Sequence, residues 1–195
     1  MGKPKLWVAG HGPRMLRLTG QYADGWLPAW SMAPEDYAAR RDIVAKHAQT
    51  AGRPTPTCGL LRPVLLGKSR DQLAELFERE PLAKLAALFI EGERWQHYGI
   101  EHPAGANSRG FVDVIVHDLD VEELRALAPR IPFELLADYY LAGNAEEVFE
   151  RLLPFAAAGL EHVILTLCLG MVGGPPEIEE FLAEFARLRE MLATA

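Results

Sequence analysis

The stretch Lys5–Leu18, KLWVAGHGPRMLRL, decides how this chain is read. Leu6-Trp7-Val8-Ala9 is short, apolar and rich in β-formers, which suits a buried strand. Gly10-His11-Gly12 breaks it, and Pro13 suits the first turn of a helix, where its missing N–H costs nothing. Met15, Leu16, Leu18, Thr19 and Tyr22 then recur at helical spacing up to Asp24-Gly25. A strand passes through a glycine turn directly into a helix.

The same unit repeats along the chain. Gly25–Ala29 reads as a second strand, followed by a helix from Pro34-Glu35-Asp36 to a stop at Gly52, with Tyr37, Ile43 and Val44 on its apolar side. Cys58–Leu66 (CGLLRPVLL) is a third strand, in which Pro63 requires an edge, a bulge or a break in the ladder. Asp71–Arg79, Leu82–Glu91, Val121–Ala128 and Phe133–Leu141 are helical in pattern. Gly92–Asn107 is irregular, and Phe111–Val116 is β-rich without a clear assignment. Asn144 opens another helix with Glu147 in capping-box position, and Gly159 closes it. Glu161–Cys168 holds the fourth strand, and Glu177–Leu192 is a final amphipathic helix.

Strands alternating with helices imply an α/β fold, with parallel strands and helices packed outside them. A complete eight-stranded barrel of this kind takes roughly 250 residues. Here there are 195 residues and four strands, and the whole span from Gly67 to Glu161 is spent on one connection. The count fits strands 5–8 of a (β/α)8 TIM barrel, a single partial domain over 1–195 with a helical insertion at about 71–142, between the last two strands.

The net charge of −7 argues against a nucleic-acid or anionic-membrane surface, because both need clustered Lys and Arg. Cys58 and Cys168 are the two cysteines; they form no disulfide framework, which fits a reducing cytoplasm. No apolar run reaches the length of a membrane span. His97 and His102 flank Tyr98–Glu101 without an H-x-x-x-H or a nearby cysteine, so no metal site is expected.

KLWVAGHGPRMLRLTGQYADGWLP resembles the middle of a luciferase-like flavin or deazaflavin oxidoreductase, where the fifth barrel strand leads through a glycine turn and a helix to an "ADGW" entry into the sixth. LAGNAEEVFERLLPFAAAGLEHVIL is similar to that family's seventh helix and eighth strand. WQHYGIEHPAG resembles the insertion of its coenzyme F420-dependent members, nearest the phthiodiolone ketoreductase-like branch. The resemblance implies hydride transfer between F420 and a carbonyl, alcohol or unsaturated small-molecule substrate. FMN is the alternative cofactor, with monooxygenase chemistry. It also implies four further strands ahead of Leu6, so that this sequence is a truncated product or one part of a split barrel. Its expected partner is the N-terminal half-barrel, or a second copy. The rival reading is a half-barrel remnant without catalysis, serving as an interaction module.

Glycines before a helix start let a backbone approach an anion, and the helix dipole favours one. The resemblance places the phosphate-bearing cofactor tail there, at Ala9, Gly10, His11, Gly12 and Pro13; the other reading is a tight turn that needs glycine for geometry alone. Three residues are candidates for substrate contact. Trp30 follows the second strand, on the face where barrels carry their sites, or else packs locally. Arg62 either faces the barrel interior to hold an anionic group or packs its stem beside Pro63. His102-Pro103 shapes the insertion near the substrate mouth. No catalytic acid or base is assigned, because the resemblance puts those groups on the missing strands.

Overall fold

The computed structural model describes residues 3–29, 31–167 and 174–194. The chain divides into two compact units. The first comprises residues 1–63 and 149–166, and the second 64–148 and 167–195.

In the first unit, β1 (Trp7–Val8), β2 (Gly25–Trp26) and β3 (Thr57–Leu66) run parallel, with Trp7 beside Gly25 and Trp26 beside Cys58. The ladder continues past the regular strands, since Leu27 donates to the Val8 carbonyl and Leu61 to that of Pro28, both at 3.0 Å. β5 (His162–Leu167) pairs with β3, and the Glu161 N–H reaches the Cys58 carbonyl at 2.8 Å. The four strands anticipated from sequence are therefore neighbours in one sheet, in the anticipated order.

α1 (Pro13–Tyr22) and α2 (Pro34–Thr50) pack on this sheet. Their crossing is close because Gly20 has no side chain; a Cβ there would stand 2.8 Å from that of His47. Leu16, Trp26, Tyr37, Val44, Cys58, Leu60 and Phe155 form the core between sheet and helices. Trp26 stacks on Tyr37 with centroids 5.1 Å apart, and Phe155 meets Tyr37 edge-on at 5.8 Å. Such aromatic pairs add about 0.5–1.5 kcal/mol each beyond the area they bury. Ile43, expected on the apolar side of α2, is exposed instead, as are Met15 and Tyr22 of α1. The buried stripes run through Tyr37–Val44–Ala48 and Leu16–Thr19–Gly20.

The second unit holds the end of β3, paired in parallel with β4 (Leu141–Gly143), so that Val64 lies beside Leu141 and Leu66 beside Gly143. β4 was not anticipated: the helix expected over Phe133–Leu141 takes in its first residue, and that helix stops earlier, at α6 (Phe133–Tyr139). Pro63 neither ends nor kinks β3 out of its strand. It falls between the two ladders, where no backbone donor is required. α3 (Arg70–Arg79) is capped by Ser69, whose side chain accepts from the Gln72 N–H. The stretch expected as a helix over Leu82–Glu91 is a 3-10 helix, Pro81–Phe89, and short helices α4 (Gly92–Gln96) and α5 (Val121–Leu127) follow. Residues 111–116 carry no strand; 3-10 turns occupy Gly110–Val112 and Val116–Asp118.

α7 (Ala145–Ala157) begins with the anticipated capping box, in which Glu147 N–H donates to Asn144 Oδ1 at 3.0 Å and Asn144 N–H to Glu147 Oε2 at 2.9 Å. Gly159 closes it at φ +88°, a left-handed conformation that favours glycine. The last helix, α8 (Pro175–Thr194), contributes Glu184 as an acceptor for the Ala145 N–H. No helix among the described residues is long and apolar enough to cross a membrane.

Candidate anion site at the first strand-to-helix turn

The turn after β1 is built by two glycines with different duties. A Cβ on Gly10 would stand 2.7 Å from that of Met15, so the turn closes only with glycine there. The Gly10 carbonyl is held from below by the indole N–H of Trp26 at 2.9 Å. Gly12 is the helix N-cap, with φ −78° and ψ 158°, and its carbonyl takes the Leu16 N–H at 3.0 Å. That backbone suits any residue, and a Cβ at Gly12 would meet nothing among the described residues within 4 Å. A side chain at Gly12 would therefore force no unsuitable backbone angle: only the space beside it is at stake.

Among the described residues no side chain caps the first turn of α1 and no acidic residue lies in it, while Arg14 does. Uncapped N–H groups and the helix dipole together favour an anion at such an end. His11 Nε2 is enclosed yet has no hydrogen-bond partner among the described residues. Burial pushes the His11 pKa below its ordinary value, and the charge of Arg40 lowers it further. His11 is thus a neutral donor or acceptor at pH 7, and the positive charge near the turn comes from arginines.

Arg40 was missed in the sequence. It lies three residues after Tyr37 and four before Val44, on the buried stripe of α2, and its guanidinium donates to Met32 Sδ at 3.8 Å. Thioether sulfur is a weak acceptor. Arginine at helical spacing between Tyr37 and Val44 is the signal that would have found it.

The other candidates separate. Trp30 and Cys168 lie outside the described residues. Arg62 is 3% exposed and shares strand parity with Cys58 and Leu60, which belong to the core between sheet and helices. Successive side chains alternate across a strand, so Arg62 stands on that face and not on the barrel interior. His102 belongs to the second unit and is 1% exposed. Its Nε2–H donates to the Leu88 carbonyl and its Nδ1 accepts from the Ala104 N–H, both at 3.0 Å. Trp95 meets it edge-on at 4.9 Å and donates to the Ala87 carbonyl. Both ring nitrogens are committed to holding the insertion together. Cys58 is a buried thiol donating to the Pro56 carbonyl at 3.3 Å, with its pKa raised by burial, which makes it inert. Among the described residues no three His, Cys, Asp or Glu side chains are placed to share a metal ion.

Residues 1–162 match the luciferase-like monooxygenase family. The chain is 36% identical over 164 residues to a phthiodiolone/phenolphthiodiolone dimycocerosates ketoreductase of Mycobacterium tuberculosis (strain ATCC 25618 / H37Rv), covering 83% of this chain and 43% of that protein. It is 35% identical to the enzyme of the same name from Mycobacterium kansasii, covering 44% of it. The chain spans less than half the length of these curated relatives. Among solved structures it is similar to an F420-dependent secondary alcohol dehydrogenase in complex with an F420-acetone adduct, with TM-score 0.55, 17% identity, and coverage of 94% of this chain and 49% of that one. It is similar also to the coenzyme F420-dependent tetrahydromethanopterin reductase of Methanopyrus kandleri, with TM-score 0.57, 16% identity, and coverage of 91% and 51%. Parallel strands in the expected order, the glycine turn opening a helix, and this match over most of its length agree: the chain belongs to the luciferase-like monooxygenase family.

Proposed function

We propose that this chain supplies the cofactor-tail end of an F420-dependent oxidoreductase acting on a small carbonyl, alcohol or unsaturated compound. The observation that carries it is the start of α1, uncapped and free of acids, beside an enclosed His11 Nε2 with no partner among the described residues. A phosphate fits these residues: backbone N–H groups and Arg14 serve its oxygens, His11 adds a hydrogen bond, and Arg40 adds charge. Gly12 keeps the approach open. When bound, the deazaflavin supplies hydride transfer. The chain's own part is to anchor the tail, orient the ring system against the substrate and keep water away. The ketoreductase relatives and the likeness of Trp95–Gly105 to F420-dependent enzymes support F420 over FMN.

The test is equilibrium binding of F420 and FMN, followed by fluorescence, to the chain completed by the first half of a family barrel. Tighter binding of F420, weakened by inorganic phosphate in competition, is the expected result. Equal indifference to both cofactors would end this reading.

A further inference from the structure

His102 is buried, while the residues on either side of it, Glu101 and Pro103, are exposed. Its ring is bonded through both nitrogens and met edge-on by Trp95, so its two neighbours are carried to fixed places. Both line an open groove of about 340 Å³ in the second unit. The rest of the lining comes from Leu119 to Arg130, through α5 and the 3-10 turn Ala128–Arg130. This part is equally firm. Asp120 Oδ1 caps α5 by accepting from the Glu122 and Glu123 N–H groups, both at 2.9 Å, and Leu124 is buried. A groove held in this way is formed before any ligand arrives, and its volume falls at the small end of the range for small-molecule sites.

Its chemistry has two parts. Pro103, Leu119, Leu124 and Leu127 are apolar. The charged lining residues are three carboxylates, Glu101, Asp120 and Glu123, against one cation, Arg130. Other arginines of the same region are already paired: Arg94 with Glu91, Arg109 with Asp113 and Arg125 with Glu122. Among the described residues Glu101 and Glu123 have no cationic partner, and Asp120 Oδ2 accepts no hydrogen bond. The helix dipole accounts for an acid in the first turn of α5. It does not account for Glu101, which lies on no helix yet lines the same groove.

We infer that this groove binds a small organic cation with an aliphatic body, an alkylammonium. Its charge is held by Glu101, Asp120 and Glu123, and its chain lies on Leu119, Leu124 and Leu127. Exposed ion pairs contribute little free energy, so the affinity comes from the chain leaving water, while the carboxylates select the sign of the head group. A carboxylate on the same chain meets like charge and is rejected. The site is independent of the anion turn, since every residue in it belongs to the second unit.

Titration of the 195-residue chain with n-hexylammonium, followed by NMR chemical shifts, tests this, with hexanoate and hexanol as matched probes. The expected result is saturable shifts at residues 101–103 and 119–130 with the amine, about fivefold weaker binding of hexanol, and weaker binding still of hexanoate. Butylammonium should bind about fifteenfold more weakly than hexylammonium, or about fourfold for each methylene. Glu101→Gln combined with Glu123→Gln should lower the affinity for the amine about fivefold and leave that for hexanol unchanged. Glu93→Gln removes an exposed acid outside the groove and should change neither. Equal affinity for amine and hexanoate, shifts that never saturate, an unmoved affinity in the double variant, or the same loss in Glu93→Gln overturns the inference.

Discussion

The indole N–H of Trp26 donates to the carbonyl of Gly10 at 2.9 Å, which ties the second strand to the turn that opens α1. Trp26 is fully buried and stacked on Tyr37, so the turn is fixed by the core itself. Replacing it with phenylalanine keeps most of the packing but leaves the Gly10 carbonyl without its donor. The expected loss is about 1–3 kcal/mol of stability. Denaturant unfolding measures it, and phosphate affinity should fall in parallel as the turn loosens. Unchanged stability in Trp26→Phe would show that water serves that carbonyl equally well.

Gly10 and Gly12 should respond oppositely to a side chain. Gly10→Val drives into Met15 and is expected to impair folding, visible as a lowered melting temperature. At Gly12 a Cβ meets nothing among the described residues within 4 Å, so Gly12→Val should melt as the parent does. In the completed barrel, Gly12→Val is expected to weaken F420 binding at least tenfold, about 1.4 kcal/mol. Parental affinity in a well-folded Gly12→Val would reduce the turn to a structural connection.

Arg40 gives the site a spectroscopic handle. With its charge removed in Arg40→Gln, the His11 pKa should rise toward the ordinary 6.5, while staying below it because burial is the larger cause. Proton NMR titration of the His11 ring reads this directly, and an unmoved midpoint would separate the guanidinium from the ring.

Acid should destabilise the fold through the same groups. His11 and His102 both have pKa values lowered by burial, so the unfolded chain binds their protons more readily than the folded one. Their contribution is full above about 6.5 and is lost as pH falls through the lowered folded values. Melting temperatures followed from pH 7.5 downward should decline below that point, and the decline should be shallower in His102→Leu. That variant strands the Leu88 carbonyl and the Ala104 N–H, and is expected to be less stable at every pH by about 1–3 kcal/mol.

What could be read from sequence was mostly what short-range chemistry dictates. Asn144 and Glu147 announce a capping box by spacing alone, and Gly159 announces a left-handed stop, because both act within one turn of helix. β4 escaped notice because three residues, Leu141–Gly143, carry no period of their own and merge with the apolar end of α6. Arg62 shows a different limit. Alternation fixed that it shares a face with Cys58 and Leu60, but only the positions of Trp7, Gly25 and Gly59 reveal which face looks inward. Arg40 was hidden by the reverse assumption, that a charged residue on a helix points to water.

The indole of Trp7 rests in room that Gly25 and Gly59 vacate. Size at these three positions is therefore a shared quantity, and none of them can drift alone. A methyl group at 25 or 59 is tolerable only in a lineage that has first shrunk residue 7, and a smaller residue 7 leaves a void until a neighbour grows. Relatives of this chain should accordingly exchange bulk among the three strands as a set, with Trp paired to Gly-Gly and smaller side chains paired to Ala or Ser.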